Sequence, residues 1–320
     1  MTYKKLLILL PFIALAAHSQ TPDDTVLSQT PIDTSWKKGG FIALSFNQVS
    51  FTNWALGGEN QLSGIAFLNL YANYFKDKVS WENYIDLGYG LSKTGEEGNI
   101  RKSEDKIDVG SKYGYHAFKD FYYSAFVNFK SQFGPGYNYP DDSTIVSRFA
   151  SPAYLTVALG LDYKPSEFFS AFISPITAKF TFMTDQTLAD AGAFGVDPAE
   201  YNTAGTKIAD GQTVRSEFGA YFRSKFQKDL MPNFNLSTTL ALFDNYSDAT
   251  HVDVNWETLI AIKAGKFITA SLFTNLIYDH DIDIPTFETI GGVKTITGFG
   301  PKTQFKEVFG FGLSYKFNTP

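Results

Sequence analysis

The chain has 320 residues, no cysteine, a formal net charge of -6 and an aromatic share of 17%, with 31 Phe and 18 Tyr. The lack of cysteine excludes a disulfide framework and a lipid-anchored lipoprotein, and the acidic balance argues against a nucleic-acid partner. Mean hydropathy is -0.13, and after the N-terminal segment no apolar run reaches the ~18 residues of a transmembrane helix, so a helical membrane protein is excluded, whereas a membrane β-barrel, half of whose strand residues face a polar interior, is not.

Residues 1–20 predict a cleaved export signal: Lys4 and Lys5 precede an apolar run from Leu6 to Ala17, and Ala17-His18-Ser19 is a small-x-small cleavage site, with cutting after Ser19 or Gln20. Residues 21–38 are polar, hold two prolines and read as a short tail on the periplasmic side. From Gly39 to the end, a single domain (39–320) of twelve alternating strands is predicted: 41–51, 62–75, 79–91, 106–115, 121–133, 154–163, 168–183, 214–226, 234–243, 252–264, 267–278 and 305–317. Successive side chains of a strand point to opposite faces. In 252–264, Val252, Val254, Trp256, Ile260 and Ile262 share one face, while Asp253, Asn255, Glu257 and Lys263 share the other. The segment 214–226 sets Val214, Phe218, Phe222 and Phe226 against Arg215, Glu217, Arg223 and Lys225, and 79–91 sets Trp81, Ile85, Leu87 and Tyr89 against Glu82, Asp86, Gly88 and Gly90. Ser174-Pro175 predicts a bulge or kink in the seventh strand.

The final strand is the most polarised. Phe305, Phe309, Phe311, Leu313, Tyr315 and Phe317 lie on one face, and Lys306, Gly310, Gly312, Ser314 and Lys316 on the other. Its ending, Gly312-x-x-Tyr315-x-Phe317, is similar to the C-terminal insertion signal of outer-membrane barrels, which implies the barrel-assembly machinery as a partner during insertion. Connections after even-numbered strands are short and those after odd-numbered strands mostly long, the asymmetry of a barrel with periplasmic turns and extracellular loops. The fold class expected is therefore all-β: an antiparallel transmembrane β-barrel of about 12 strands, with outer-membrane lipid against its apolar faces.

Several stretches carry a family resemblance: Asn53-Trp54-x-x-Gly57-Gly58, Ser151-Pro152-Ala153-Tyr154-Leu155, the run Ala158–Pro165, Gly192-Ala193-Phe194-Gly195-Val196, Leu242-Phe243-x-Asn245-Tyr246, Ile277-Tyr278-Asp279 and Gln304-Phe305-Lys306-Glu307. Together they resemble an uncharacterised family of Gram-negative outer-membrane β-barrel proteins known as a domain of unknown function. The resemblance implies a barrel fold and an outer-membrane location, and it brings no catalytic residues and no cofactor.

The expected lumen-lining residues are Glu82, Tyr84, Asp86, Tyr122, Lys130, Arg215, Glu217, Arg223, Lys225, Asp253, Glu257, Lys263 and Lys306. They serve either as a selective pore lining or as a salt-bridged plug. Eight strands give a filled barrel and sixteen or more a water channel; twelve lies between, and a plugged or very narrow lumen is the favoured reading. The segment 279–283, with Asp279, His280, Asp281 and Asp283, offers a weak cation site that lacks the glycine and downstream glutamate of a calcium loop. An outer-membrane lipid-modifying hydrolase would need a histidine beside a serine, and His116, His251 and His280 are placed in turns without one. The function expected is therefore non-enzymatic: a narrow channel, or a structural or accessory barrel with a partner in an envelope assembly. A lipid hydrolase and a soluble exported β-sandwich binding protein are the alternatives. The 184–213 connection either enters the lumen as a constriction or stays outside as a docking surface.

Overall fold

The computed structural model describes residues 35–50, 59–95, 98–139, 141–265, 267–290 and 293–319. The expected signal, the tail up to residue 34 and the Gly57-Gly58 turn lie outside them. The barrel strands are β1 (Trp36–Val49), β2 (Gln61–Lys76), β3 (Val79–Thr94), β4 (Arg101–Phe118), β5 (Phe121–Ser131) and β6 (Ala153–Ser166). They continue as β7 (Phe169–Phe182), β8 (Val214–Met231), β9 (Phe234–Asn245), β10 (Val252–Ala264), β11 (Ile268–Tyr278) and β12 (Gln304–Thr319). Each strand pairs antiparallel with the next, and β12 pairs back onto β1, so the sheet closes with no free edge. Closure rules out the two-layer sandwich.

Several boundaries differ from the sequence expectation. β1 starts at Trp36, which pairs with Tyr74, β4 begins at Arg101 rather than Lys106, and β8 runs on to Met231. These extensions are polar, and hydropathy marks only the apolar part of a strand. Hydrogen-bonded pairing continues past it because the ladder needs backbone groups, not apolar side chains. The connections after even strands shrink accordingly, to Asp77-Lys78, Lys119-Asp120, Glu167-Phe168 and Pro232-Asn233. Asp77 and Lys119 adopt left-handed φ of 52° and 47° there, as tight hairpins demand. The expected irregularity at Ser174-Pro175 is a β-bulge: Ile173 pairs with Leu161 and Ile176 with Leu159, leaving one extra residue in β7 between the two pairs.

The polarity of the barrel is inside-out relative to a water-soluble core. Exposed side chains on the outer face include Ile42, Leu44, Ile85, Val109, Val127, Leu159, Ile173, Ile176, Phe309, Phe311 and Leu313. Buried residues include Glu104, Asp108, Lys112, Asn128, Asp162, Ser174, Thr177, Thr181 and Glu217. Trp81, Tyr113, Tyr115, Phe118 and Tyr123 crowd the outer face toward the short-turn end, and Phe267 and Tyr315 do the same between β11 and β12.

The opposite end carries structured connections. The segment after β7 holds a short helix, Gln186–Asp190, capped by the Asp185 carboxylate, which accepts from the Thr187 and Leu188 amides. Met183, Leu188, Ala189 and Val196 form its own small core. The connection after β11 contains a hairpin of Asp283–Ile290 with Val293–Pro301 that pairs with no barrel strand and exposes Phe287, Ile296 and Phe299.

Candidate functional site

Alternation sends every second side chain into the lumen, and in β3, β4, β6, β8 and β10 several of those positions are charged. Closing the sheet forces the charges together, and three layers result. Nearest the short turns is a quartet. Lys112 lies 3.2 Å from Glu82 and 2.7 Å from Asp162, while Lys164 lies 2.8 Å from Glu82 and 3.2 Å from Asp162. Asp162 is completely buried. A charge removed from water is tolerable only when paired, and here two ammonium and two carboxylate groups neutralise one another. Lys164 also stands 5.2 Å from the centre of the Tyr122 ring.

At the waist, direct contacts cross the barrel. Lys106 on β4 reaches Glu257 on β10, the diametrically opposite strand, at 2.8 Å. Lys130 sits between Asp108 at 3.7 Å and Glu257 at 3.8 Å. The Tyr84 hydroxyl donates to Asp108 at 3.2 Å and accepts from Asn128 at 3.1 Å. The Arg223 guanidinium packs over the rings of Tyr84 and Phe126 at 5.4 and 5.3 Å. Phe126 stacks on Tyr221 and Phe172 meets both rings edge-on, with Phe126 only 1% and Phe172 only 2% exposed. Asp86 accepts from Asn69, and Lys225 lines a recess beside Lys112, Phe126 and Arg223.

Toward the long connections, Lys179 is held by Asp253 at 2.6 Å, Asp279 at 3.5 Å and Glu217 at 3.6 Å. Arg215 pairs with Glu217 and Asp281 and donates to the Gly195 carbonyl at 3.2 Å. One guanidinium thus ties two of the long connections to the wall, and the residue 184–213 segment packs as a folded piece at the mouth. Lys306 pairs with Glu104 at 2.9 Å across several strands.

Of the expected lumen residues, all but Lys263 take part in these layers, and Lys263 is exposed near the short-turn rim. The partners missed from sequence are Glu104, Lys106, Asp108, Lys112, Asp162, Lys164 and Lys179. The even positions of β4 alone carry four of them, a period-two signal that the sequence displays. Lys164 was hidden because it reads as part of a turn, whereas β6 runs through it to Ser166. Asp279 and Asp281 each turn to a cation of the wall, and Asp283 opens the outer hairpin. The structure instead gathers Asp248, His251 and His280 at the rim. The Asp248 carboxyl is held down to about 2 by the Thr250 hydroxyl first and His251 second.

Among the described residues, the histidines do not form a nucleophile relay. Thr250 and Asp248 both meet the same ring nitrogen of His251, Nδ1, at 2.9 and 3.0 Å. A relay needs nucleophile and carboxylate on opposite nitrogens. His116 contacts the Lys119 carbonyl and His280 the Tyr278 hydroxyl.

Among solved structures, the chain is similar to the COG4313 outer membrane channel from Pseudomonas putida F1, at 12% identity and a TM-score of 0.36, covering 87% of this chain and 96% of that one. It is also similar to the translocator domain of the autotransporter NalP from Neisseria meningitidis, at 10% identity and a TM-score of 0.35, covering 88% of each. No curated protein matches. Over residues 46–137 the chain matches a family described as a protein of unknown function (DUF3078).

Proposed function

We propose that the protein is a non-enzymatic outer-membrane barrel with an occluded lumen, acting as a structural or accessory component of an envelope assembly and not as an open diffusion pore. The observation that carries this reading is the waist. The Lys106–Glu257 ion pair spans opposite walls, and the Phe126, Phe172, Tyr221, Tyr84 and Arg223 layer fills the space beside it. A charged lining that conducts must leave solute a path and bind it weakly; here the charges bind one another. The apolar outer face supports lipid contact, since a closed sheet leaves no backbone group unsatisfied in hydrocarbon. Exposed Phe287, Ile296 and Phe299 on the outer hairpin support a partner beyond the membrane.

Planar-bilayer recording tests the reading. The wild-type protein is expected to give no sustained current steps. A variant carrying Tyr84→Ala, Phe126→Ala and Arg223→Ala is expected to give them, because it removes the rings and guanidinium that block the waist. Stable steps of porin size from the wild type would overturn the accessory reading in favour of a channel.

A further inference from the structure

The rim carries a cluster that the lumen network does not use. Asp248 and His251 lie on the connection between β9 and β10, and His280 follows β11. Because β10 pairs with both β9 and β11, these two connections are neighbours. One donor atom from each of the three side chains lies within 4.8 Å of the others. The imidazoles of His251 and His280 stack with centroids 3.5 Å apart and planes 5° apart. They border a small open recess whose wall includes Glu217, Asn245, Asp253 and Asp281.

Hydrogen bonding fixes what the histidines offer. The Thr250 hydroxyl donates to Asp248 Oδ1 at 2.6 Å, so its oxygen accepts from His251. His251 Nδ1–H is then shared between Thr250 and Asp248 Oδ2, and Nε2 keeps its lone pair. A carboxylate behind Nδ1 is the arrangement that orients a metal-binding imidazole and raises its basicity. Charge points the same way. Asp248, Asp253, Glu217 and Asp281 line the recess, and the cations paired among them are Lys179 and Arg215. Such an excess of carboxylate concentrates cations at a concave mouth.

We propose that His251 and His280 form a site for a zinc-class divalent cation, with His251 Nε2 and a ring nitrogen of His280 as ligands, Asp248 as the positioning carboxylate behind His251 Nδ1 and water completing the coordination, clamping two neighbouring connections at the barrel mouth. Nitrogen donors favour zinc, nickel or copper over calcium and magnesium, which take oxygen ligands. Metal–nitrogen distances of ~2.0–2.1 Å require the stacked rings to splay around the ion, a rotation that half-buried side chains on rim connections allow. The site does not depend on whether the lumen conducts.

Tag-free protein folded in detergent and stripped with a chelator is titrated with Zn²⁺. The expected result is one Zn²⁺ per chain, undisturbed by excess Ca²⁺ or Mg²⁺, with affinity lowered at least about tenfold in His251→Ala and in His280→Ala. His116→Ala, at the other end of the barrel, leaves the affinity unchanged. No saturable binding by the wild type, or binding equal in the wild type and both rim variants, overturns the proposal. Should an alanine variant not fold, the wild type alone decides. Zn²⁺ is expected to protect His251 and His280 from diethyl pyrocarbonate while His116 stays reactive, and equal modification of all three with and without Zn²⁺ refutes the site.

Discussion

Asp162 is the residue on which the short-turn end of the lumen depends most, being fully buried between Lys112 and Lys164. Replacing it with asparagine leaves two ammonium groups sharing Glu82 alone. Removing one member of a buried ion set costs about 3–5 kcal/mol, so Asp162→Asn is expected to lower the urea midpoint of unfolding in detergent clearly. Adding Lys112→Met should recover part of the loss, because the uncompensated charge goes with it. A double variant no better than Asp162→Asn would show that the cost is shape and not charge. At this scale the sequence was legible by parity: Glu82, Arg223 and Glu257 could be assigned to the lumen from alternation alone. Their partners could not be, because a contact such as Lys106–Glu257 exists only once the sheet has closed into a ring.

Among the elements, β12 shows how closure is written into the chain. A Cβ on Gly312 would lie 1.9 Å from the Leu44 carbonyl oxygen of β1, so the seam between last and first strands requires glycine there. Gly312→Val is therefore expected to block closure, seen as loss of the folded, heat-modifiable band on cold electrophoresis, whereas Ser314→Val, two residues on along the same face, should leave most of it. Equal folded yields for the two would show that the seam tolerates a side chain. The Gly312, Tyr315 and Phe317 pattern, read from sequence as an insertion signal, thus contains a position whose demand is steric. The bulge at Ser174-Pro175 was also legible, through proline. The outer hairpin within residues 279–303 was not, since it contributes nothing to the barrel ladder and its short strands sit in a segment read as loop.

For the whole molecule, two independent patterns in the sequence, apolar alternation and the sorting of connections by length, were enough to imply twelve strands closed into a barrel. Strand number favoured a plugged or very narrow lumen, but the side chains that fill it were not legible, because filling depends on which of them meet across the barrel. The rim cluster escaped for a related reason: Asp248, His251 and His280 come together only through the pairing of β10 with both its neighbours.

The central claim is that hydrocarbon, not protein or water, covers the outer face. Trp81 and Trp256 stand on that face, 40% and 50% exposed. Tryptophan emission from protein folded into vesicles should fall strongly when the lipid chains carry bromine, and less so in Trp81→Phe/Trp256→Phe. Emission that is the same in brominated and ordinary lipid, from a chain that also stays folded and monodisperse in plain buffer, would contradict the account.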